Sequence, residues 1–270
     1  MSQKKLADKT ERLSELCLRF KLATLAEQLG PRLLEAGHDE ALALVVETFE
    51  LEAGDRRERR VDRLRRASRL PSAKTLDALD LTRLPKPLAA KVRELAKGDF
   101  LERADNVLCF GLPGVGKSHA AAALGHALVE RGHSVLFTPT FKLVQELLAA
   151  KRDLELSRAL RSLDAFELLV LDDIGYVQQS QDEVEVLFTL MAERYERRSM
   201  LITSNLVFSE WNKIFKDPMT TAAAIDRVVH HSVILEFAEV RTYRGEVAER
   251  RRAAKTKADD NGTAVTTRNP

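Results

Sequence analysis

The segment from Asn106 to Leu128, NVLCFGLPGVGKSHAAAALGHAL, constrains the fold of this 270-residue chain more than any other. A short apolar run leads into a glycine-rich turn, and the turn opens an alanine-rich stretch. The turn, GLPGVGKS, fits the pattern G-x-x-x-x-G-K-[ST] from Gly111 to Ser118. In that pattern, the backbone N–H groups of the loop and the start of the following helix attract a phosphate anion. The segment therefore predicts a strand, a phosphate-binding loop and a helix in direct succession.

The loop also predicts which residues bind a nucleotide and its metal ion. We expect Lys117 to reach the β- and γ-phosphates of ATP and the Ser118 hydroxyl to ligate Mg²⁺. The alternative is a glycine-rich turn that binds nothing, which the flanking strand and helix disfavour. The predicted ATP contacts comprise the loop and the residue after it: Gly111, Leu112, Pro113, Gly114, Val115, Gly116, Lys117, Ser118 and His119.

From Asn106 onward, short apolar runs alternate with stretches of helical spacing. Continuous apolar strands that alternate with helices are typical of a parallel sheet covered by helices on both faces. We therefore predict an α/β fold for this region. The candidate strands are VLCF (107–110), SVLFT (134–138), LLVLDD (168–173), MLITSN (200–205) and SVILEF (232–237).

Polar residues end two of these runs. Asp172 and Asp173 end the third run, and Asn205 ends the fourth. Ligands of a parallel sheet lie at the carboxyl ends of its strands. We expect Asp172 to hold Mg²⁺, Asp173 to orient or polarise the attacking water, and Asn205 to bind that water or the γ-phosphate. The alternative is that these residues only terminate strands, because Asp and Asn favour turns.

The first part of the chain has a helical pattern. Leucines and Phe20 recur mostly three or four residues apart from Leu13 to Leu29, which predicts one helical face that ends at Gly30-Pro31. A second helical stretch follows, with Gly54 as a joint or a tolerated interruption. The net charge of only +2 conceals a local excess here, because the segment 55–69 carries eight Arg against three acids. Such a patch is typical of nucleic-acid binders, although a solvated helix face is the alternative. The candidate DNA contacts are Arg56, Arg57, Arg59, Arg60 and Arg63.

Four motifs together resemble a known family. GLPGVGKS, LLVLDD, LITSN and AIDRVVHH, in this order and spacing, resemble the AAA+ ATPases and, more narrowly, their DnaC/IstB-like branch. The stretch LRRASRLPSAKTLDALDL further resembles IstB-like proteins, the ATP-dependent helpers of insertion-sequence transposition. The resemblance implies a P-loop AAA+ core with a parallel sheet flanked by helices, preceded by a small all-α N-terminal domain and without a full lid domain. Arg241 and Arg244 are open candidates for the second sensor that a lid normally carries.

The resemblance also implies roles at matching positions. They are Walker A for Lys117 and Ser118, Walker B for Asp172 and Asp173, sensor 1 for Asn205, and an arginine finger for Arg227. A finger reaches the γ-phosphate of a neighbouring subunit, so it links ATP hydrolysis to homo-oligomerisation. The alternative for Arg227 is an exposed helix arginine paired with Asp226. In related initiator-type ATPases, the helical stretch after the second strand tracks nucleic acid, which adds Lys142, Lys151, Arg152 and Arg158 as candidate DNA contacts.

These motifs and the prolines between 71 and 87 predict the organisation of the chain. We expect a helical domain for assembly and DNA contact at 1–70, a linker with the first part of the ATPase module at 71–98, the ATPase core at 99–245, and a basic, disordered tail at 246–270. The resemblance implies an ATPase that oligomerises on duplex DNA, presents it to a transposase, and hydrolyses ATP slowly to disassemble. The alternatives are a DnaC-type helicase loader and a nucleotide-switched DNA-binding scaffold with little hydrolysis.

Composition adds the expected compartment. Cys17 and Cys109 are far apart and form no C-x-x-C pattern, so we expect two buried, reduced cysteines rather than a metal site. The N-terminus has no apolar core of the signal-peptide kind, and no apolar run has the length of a membrane span. We therefore expect a cytoplasmic protein with no membrane partner.

Overall fold

The computed structural model describes residues 3–176, 180–215, 217–237 and 240, which divide into two compact units between Arg63 and Leu64. The predicted tail at 246–270 and the candidates Arg241 and Arg244 lie outside the described residues. Within the described residues, no helix is both long and apolar enough to cross a membrane. The sequence placed the end of the helical domain at residue 70, and the division of functions between the two domains stays a prediction.

The first unit is helical. It comprises α1 (Gln3–Arg19), α2 (Ala23–Glu35) and α3 (Asp39–Ala67) as far as residue 63. Its apolar core contains Leu13, Cys17, Ala26 and Leu42, all buried. Cys17 is therefore a buried free thiol, as predicted. Helix α3 passes Gly54 without interruption, so this glycine is tolerated rather than a joint.

The predicted helix break at Gly30-Pro31 is wrong, because both residues lie inside α2. The break lies instead after α1, where Lys21 takes a left-handed conformation with φ of 62°. The Leu22 N–H donates to the Cys17 carbonyl at 2.9 Å, and the Lys21 N–H donates to the Leu18 carbonyl at 2.9 Å. These two bonds form a Schellman-type helix end, which usually carries glycine at the left-handed position. This chain has lysine there, so the helix end could not be predicted from the usual glycine signal.

The second unit contains the predicted α/β fold, with a five-stranded parallel sheet in the order β2-β3-β4-β1-β5. All five predicted strands are confirmed within one or two residues. They are β1 (Asn106–Phe110), β2 (Val135–Pro139), β3 (Leu168–Asp172), β4 (Ser199–Ser204) and β5 (Ser232–Glu236). The helices are α4 (Lys86–Leu95), α5 (Asp99–Glu102), α6 (Lys117–Glu130), α7 (Thr140–Arg152), α8 (Leu156–Leu163), α9 (Gln181–Arg194), α10 (Asn212–Phe215) and α11 (Pro218–Val229), with short 3-10 turns at Leu81–Arg83, Ile174–Tyr176 and Phe208–Glu210.

The sheet is apolar on both faces because helices cover both. Every residue of β1 is buried, and so is every residue of β4. The glycine loop follows β1, which lies between β4 and β5. All strands run in the same direction, so the loop and the polar ends of β3 and β4 lie at one edge of the sheet.

The chain before β1 packs on β2 and on α6, the helix that follows the glycine loop. In β2, the Phe137 N–H donates to the Ser68 carbonyl at 2.7 Å. His126 contacts the Pro71 carbonyl at 3.0 Å through Nε2. Gly125 leaves no room for a Cβ, which would lie 2.7 Å from a methyl group of Leu70. The predicted linker is therefore held against the phosphate-binding half of the fold.

Arg194 stabilises the fold from the end of α9. Its side chain is 1% exposed. It donates to the carbonyls of Leu163, Phe166 and Ser199, each at 3.0 Å. Burial lowers the pKa of Arg194 to about 10, so the guanidinium is charged at neutral pH. One buried cation thus satisfies carbonyls from the end of α8, the turn after it and the start of β4.

We predict that Arg194→Met lowers the free energy of unfolding by about 3 kcal/mol, because it leaves buried carbonyls without donors. The matched control is Arg197→Met, since Arg197 is 59% exposed and its contacts are with the carboxylates of Asp164 and Glu193 and with the carbonyl of Glu193 in its own helix turn. That control should lose less than about 1 kcal/mol. Urea denaturation measures both variants, and equal losses would contradict this role for Arg194.

Candidate functional site

The glycine loop has the backbone geometry that its sequence predicted. It joins β1 to α6, and Gly116 forms the N-terminal boundary of α6 with φ of 104°, a left-handed conformation that favours glycine. At the other end of the loop, a Cβ on Gly111 would lie 2.8 Å from the Cβ of Phe237, just after β5. The loop therefore needs glycine at both ends for local reasons. It presents the N-terminus of a fourteen-residue helix toward any anion that it surrounds.

Lys117 lies within this loop. The residue is 8% exposed, and its Nζ donates to the carbonyls of Gly111 at 2.6 Å and Leu112 at 2.9 Å. A buried ammonium needs such acceptors. Phosphate oxygens are stronger acceptors than carbonyls because they carry charge. The loop thus already places the lysine that a nucleotide phosphate would contact.

Asp172, Thr203 and Asp173 form a hydrogen-bonded group at the carboxyl edge of the sheet. The Thr203 hydroxyl donates to Asp172 Oδ1 at 2.7 Å and accepts the backbone N–H of Asp173 at 2.8 Å. Thr203 is 1% exposed, whereas both aspartates are half-buried. Asp173 has φ of 62°, so the chain turns sharply directly after Asp172. Thr203 lies within the predicted strand MLITSN, and no role for it was predicted from the sequence.

Cys109 places the loop and the carboxylates in one electrostatic environment. Burial raises the pKa of this thiol to about 12, with opposite contributions from the charges of Lys117 and Asp172. Both charged groups therefore lie close to the same residue of β1. The thiol is buried and free, which confirms the prediction of a buried cysteine.

Asn205 follows β4 directly and presents an unsatisfied amide. Its Oδ1 is buried and has no hydrogen-bond partner within the described residues. A Cβ at Gly175 would overlap the same atom, so glycine at that position leaves room for the amide in this orientation. A buried acceptor without a donor costs about 1–3 kcal/mol. A water or ligand that donates to it would remove this cost.

The donor set at this edge fits ATP and Mg²⁺. Asp172 Oδ2 makes no hydrogen bond in the part of the chain that the structure describes, and the hydroxyl of Ser118 lies at the start of α6. Mg²⁺ prefers carboxylate and hydroxyl oxygens of this kind. The roles assigned to Lys117, Ser118, Asp172, Asp173 and Asn205 nevertheless stay predictions.

His119 follows the loop and faces the predicted linker. Its Nε2 lies 3.3 Å from the Thr75 carbonyl, and burial lowers its pKa, so the imidazole is neutral at neutral pH. The remaining predicted ATP contacts are loop residues: Leu112 and Pro113 are exposed, Gly114 is half-buried, and Val115 is buried.

Arg227 lies in the last turn of α11. Its guanidinium carbon is 4.7 Å from the centroid of the Phe188 ring, and Nη1 donates to the Ala223 carbonyl at 3.4 Å. No ion pair joins Arg227 to Asp226 among the described residues, as expected for adjacent helix positions that do not face each other. The contact with the Phe188 ring holds the half-buried guanidinium of Arg227 in place. A role as a finger stays a prediction.

The candidate DNA contacts differ in how far their charges are neutralised. On α3, Arg56 pairs with Glu52 at 2.6 Å and stacks on Phe20, and Arg59 also contacts Glu52. Arg57 and Arg63 are exposed and have no ion pair within the described ranges, and Arg60 is exposed as well.

The second set of candidates, after β2, shows a similar contrast. The Lys151 ammonium lies 2.9 Å from an Asp182 carboxylate oxygen and 2.8 Å from one of Glu185, and these contacts raise its pKa. Arg158 lies 3.8 Å from Glu155, and Lys142 and Arg152 are exposed. Of this set, Lys142 and Arg152 are therefore better placed than Lys151 to contact phosphates.

Comparison with known proteins gives the chain its family. Residues 16–250 match the family model described as IstB-like ATP binding protein. An insertion-sequence ATP-binding protein of Sinorhizobium fredii is 48% identical over 196 residues, which cover 72% of this chain and 65% of that protein. The chain thus spans slightly less than two thirds of that relative. The insertion sequence IS21 ATP-binding protein of Pseudomonas aeruginosa is 37% identical over 220 residues, which cover 82% of this chain and 81% of that protein.

Solved structures show the same fold at low sequence identity. DnaI matches with a TM-score of 0.53 at 20% identity, over 63% of this chain and 95% of its own chain. DnaA from Aquifex aeolicus bound to AMPPCP matches with a TM-score of 0.52 at 16% identity, over 63% of this chain and 51% of its own. These matches confirm the predicted α/β core with its parallel sheet. The family match, together with the relative from Pseudomonas aeruginosa, shows that the chain belongs to the IstB-like ATP binding proteins.

Proposed function

We propose that this protein is an ATPase of an insertion sequence that oligomerises on duplex DNA, presents it to a partner transposase, and hydrolyses ATP to disassemble. The observation that carries the proposal is the Asp172–Thr203–Asp173 group beside the Lys117 loop, in a chain whose relatives are named as insertion-sequence ATP-binding proteins. ATP acts here as an assembly switch.

The residues at the sheet edge have distinct roles in hydrolysis. ATP bound with Mg²⁺ would supply an electrophilic γ-phosphate. Lys117 would turn from the loop carbonyls to the phosphate oxygens, and Ser118 and Asp172 would hold the metal ion. Asp173 would accept a hydrogen bond from the attacking water, and the Asn205 amide would fix that water or the γ-phosphate. Aspartate is shorter than the glutamate common at this position, so we expect slow turnover until DNA or a partner improves the geometry.

Arg227 supports a site that is shared between subunits. Phosphoryl transfer gains from a cation that arrives only when a neighbouring subunit docks. The ring contact with Phe188 positions the guanidinium without neutralising its charge. A homo-oligomer with the loop of one subunit and Arg227 of the next would hydrolyse ATP only when assembled.

The exposed arginines of α3 and the exposed Lys142 and Arg152 support DNA as the surface for assembly. Their contacts would be to phosphates, which carry no base sequence information. Binding should therefore weaken steeply as the salt concentration rises. The insertion-sequence relatives favour a transposase over a helicase as the partner. A scaffold with little hydrolysis is the second candidate, because Asp173 is shorter than the glutamate that many AAA+ ATPases carry at this position and so holds water less closely.

We predict that Lys117→Ala lowers the affinity for ATP at least about 100-fold, because it removes the cation that the loop presents to phosphate. Assembly on DNA should then no longer respond to ATP. Fluorescence anisotropy of a labelled ATP analogue and light scattering on duplex DNA measure the two effects. Lys97→Ala, which removes an exposed lysine of the same unit, is the control and should behave as the unmodified protein. An ATP-independent complex of unchanged size would refute the switch.

We predict that Thr203→Val raises the Mg²⁺ concentration for half-maximal nucleotide binding about 10-fold, because Asp172 loses the donor that orients it. Thr203→Ser keeps the hydroxyl and should stay near the original value. Binding of a fluorescent ATP analogue is measured in a Mg²⁺ titration and again in EDTA. The comparison separates a change in Mg²⁺ binding from a change in the nucleotide-binding loop itself. The role of Thr203 would be limited to packing if Thr203→Val and Thr203→Ser need the same Mg²⁺ concentration. The same would follow if Thr203→Val loses as much nucleotide affinity in EDTA as in Mg²⁺.

We predict that Asp173→Asn and Arg227→Ala each bind ATP but lose most hydrolysis on DNA. Mixing equal amounts of the two should restore about a quarter of the original rate, because a quarter of randomly formed interfaces combine an intact Asp173 with an intact Arg227. Steady-state phosphate release measures the recovery. No recovery on mixing, with both variants present in the same oligomers, would refute a finger that acts between subunits. Undiminished hydrolysis by Asp173→Asn would refute its role with water.

A further inference from the structure

Three metal-ligating side chains converge away from the nucleotide edge. Glu196 lies in the turn between α9 and β4, and His230 and His231 lie in the turn between α11 and β5. Both turns precede parallel strands, so they lie at the amino-terminal edge of the sheet, opposite the glycine loop. The proposed ATPase mechanism does not use these residues.

The three side chains come close enough to share one ion. One ligand atom of each lies within 4.8 Å of the others. His231 Nε2 is 3.8 Å from Glu196 Oε1, and the two imidazole rings are 4.2 Å apart at 61°. Ligand atoms around a tetrahedral Zn²⁺ lie about 3.3 Å apart, given Zn–N bonds of about 2.05 Å. Since His231 is 52% exposed and Glu196 is 57% exposed, small side-chain rotations can close the remaining gap.

Neighbouring groups hold the ligands in place. The Tyr195 hydroxyl lies 3.1 Å from His230 Nδ1, so Nε2 is the nitrogen of this ring that would bind an ion. Such a contact to the second ring nitrogen is the usual outer-shell support of a metal-binding histidine. The backbone of the other histidine is also fixed, because the His231 carbonyl accepts the Asn106 N–H at 2.7 Å at the start of β1.

The chemistry of the donors selects the kind of metal. Two imidazoles and one carboxylate suit borderline transition metals, whereas Mg²⁺ and Ca²⁺ prefer oxygen ligands. Three protein ligands leave one coordination position open to water or another group. The carboxylate of Glu196 also supplies negative charge to the exposed cluster.

We propose that Glu196, His230 and His231 form a binding site for a single divalent transition-metal ion of the Zn²⁺ class, with Tyr195 as its outer-shell support. The site links the turn before β4 to the turn before β5. Arg227 lies one helical turn before His230, so a bound ion restrains the end of the helix that carries this arginine. The site does not involve the nucleotide, so the test of metal binding is independent of the test of the proposed function.

The test is a titration of the full-length chain, without a polyhistidine tag or nucleotide, with Co²⁺ followed by its visible absorption and then with Zn²⁺ in competition. We expect one saturable equivalent that excess Mg²⁺ does not displace. His231→Ala and the isosteric Glu196→Gln should each weaken binding at least about 10-fold, and Tyr195→Phe should weaken it about 10-fold through the outer shell. His38→Ala, which removes an exposed histidine of the first unit, is the control and should bind as the original protein does.

A second readout does not depend on absorption. Zn²⁺ should raise the melting temperature of the original protein and of His38→Ala, because a ligand that binds only the folded state stabilises it. It should not raise that of His231→Ala. The proposal is overturned if saturable binding of one equivalent is absent, or if His231→Ala and Glu196→Gln bind Co²⁺ as tightly as His38→Ala.

Discussion

The hydroxyl of Thr203 is the contact on which the candidate site depends. It donates to one oxygen of Asp172 and accepts the N–H of Asp173, so a single side chain of β4 orients the end of β3. The second contact supports the left-handed turn at Asp173, where a residue other than glycine is disfavoured. A buried hydroxyl with both functions satisfied thus orients the carboxylate of Asp172 without neutralising it and fixes the backbone at Asp173. The group can therefore act on a metal ion and on water while the rest of the sheet stays apolar.

The order of the strands explains why chemistry concentrates at two opposite edges. Because β1 lies between β4 and β5, the glycine loop emerges beside the ends of both neighbours. One neighbour supplies Thr203 and Asn205, and Phe237 after the other closes against Gly111. At the opposite edge, the turns that precede the same two neighbours bring Glu196 next to the paired histidines. One arrangement of strands thus accounts for both the nucleotide site and the proposed metal site, with the helix of Arg227 ending near the second.

Much of this architecture was predictable because its signals are local. The five strands are continuous apolar runs, and the glycine loop has a pattern whose backbone geometry needs those residues. The end of α1 was not predictable, because Lys21 occupies a left-handed position that normally carries glycine. Pro31, which usually indicates a helix break, lies inside α2. The role of Thr203, the unsatisfied Asn205 oxygen and the convergence of Glu196 with His230 depend on contacts between residues more than 25 positions apart. The spacing of residues along the sequence does not predict such contacts before the fold is known.

The central claim is that nucleotide in the Lys117 loop controls assembly on DNA through a site that two subunits share. Electron microscopy of the protein on duplex DNA, with a slowly hydrolysed ATP analogue and without nucleotide, tests it most directly. The account predicts multi-subunit assemblies only with the analogue, with density for its phosphates between the loop of one subunit and Arg227 of the next. Assemblies of equal size without nucleotide, or phosphates that face solvent with Arg227 remote from every loop, would contradict it.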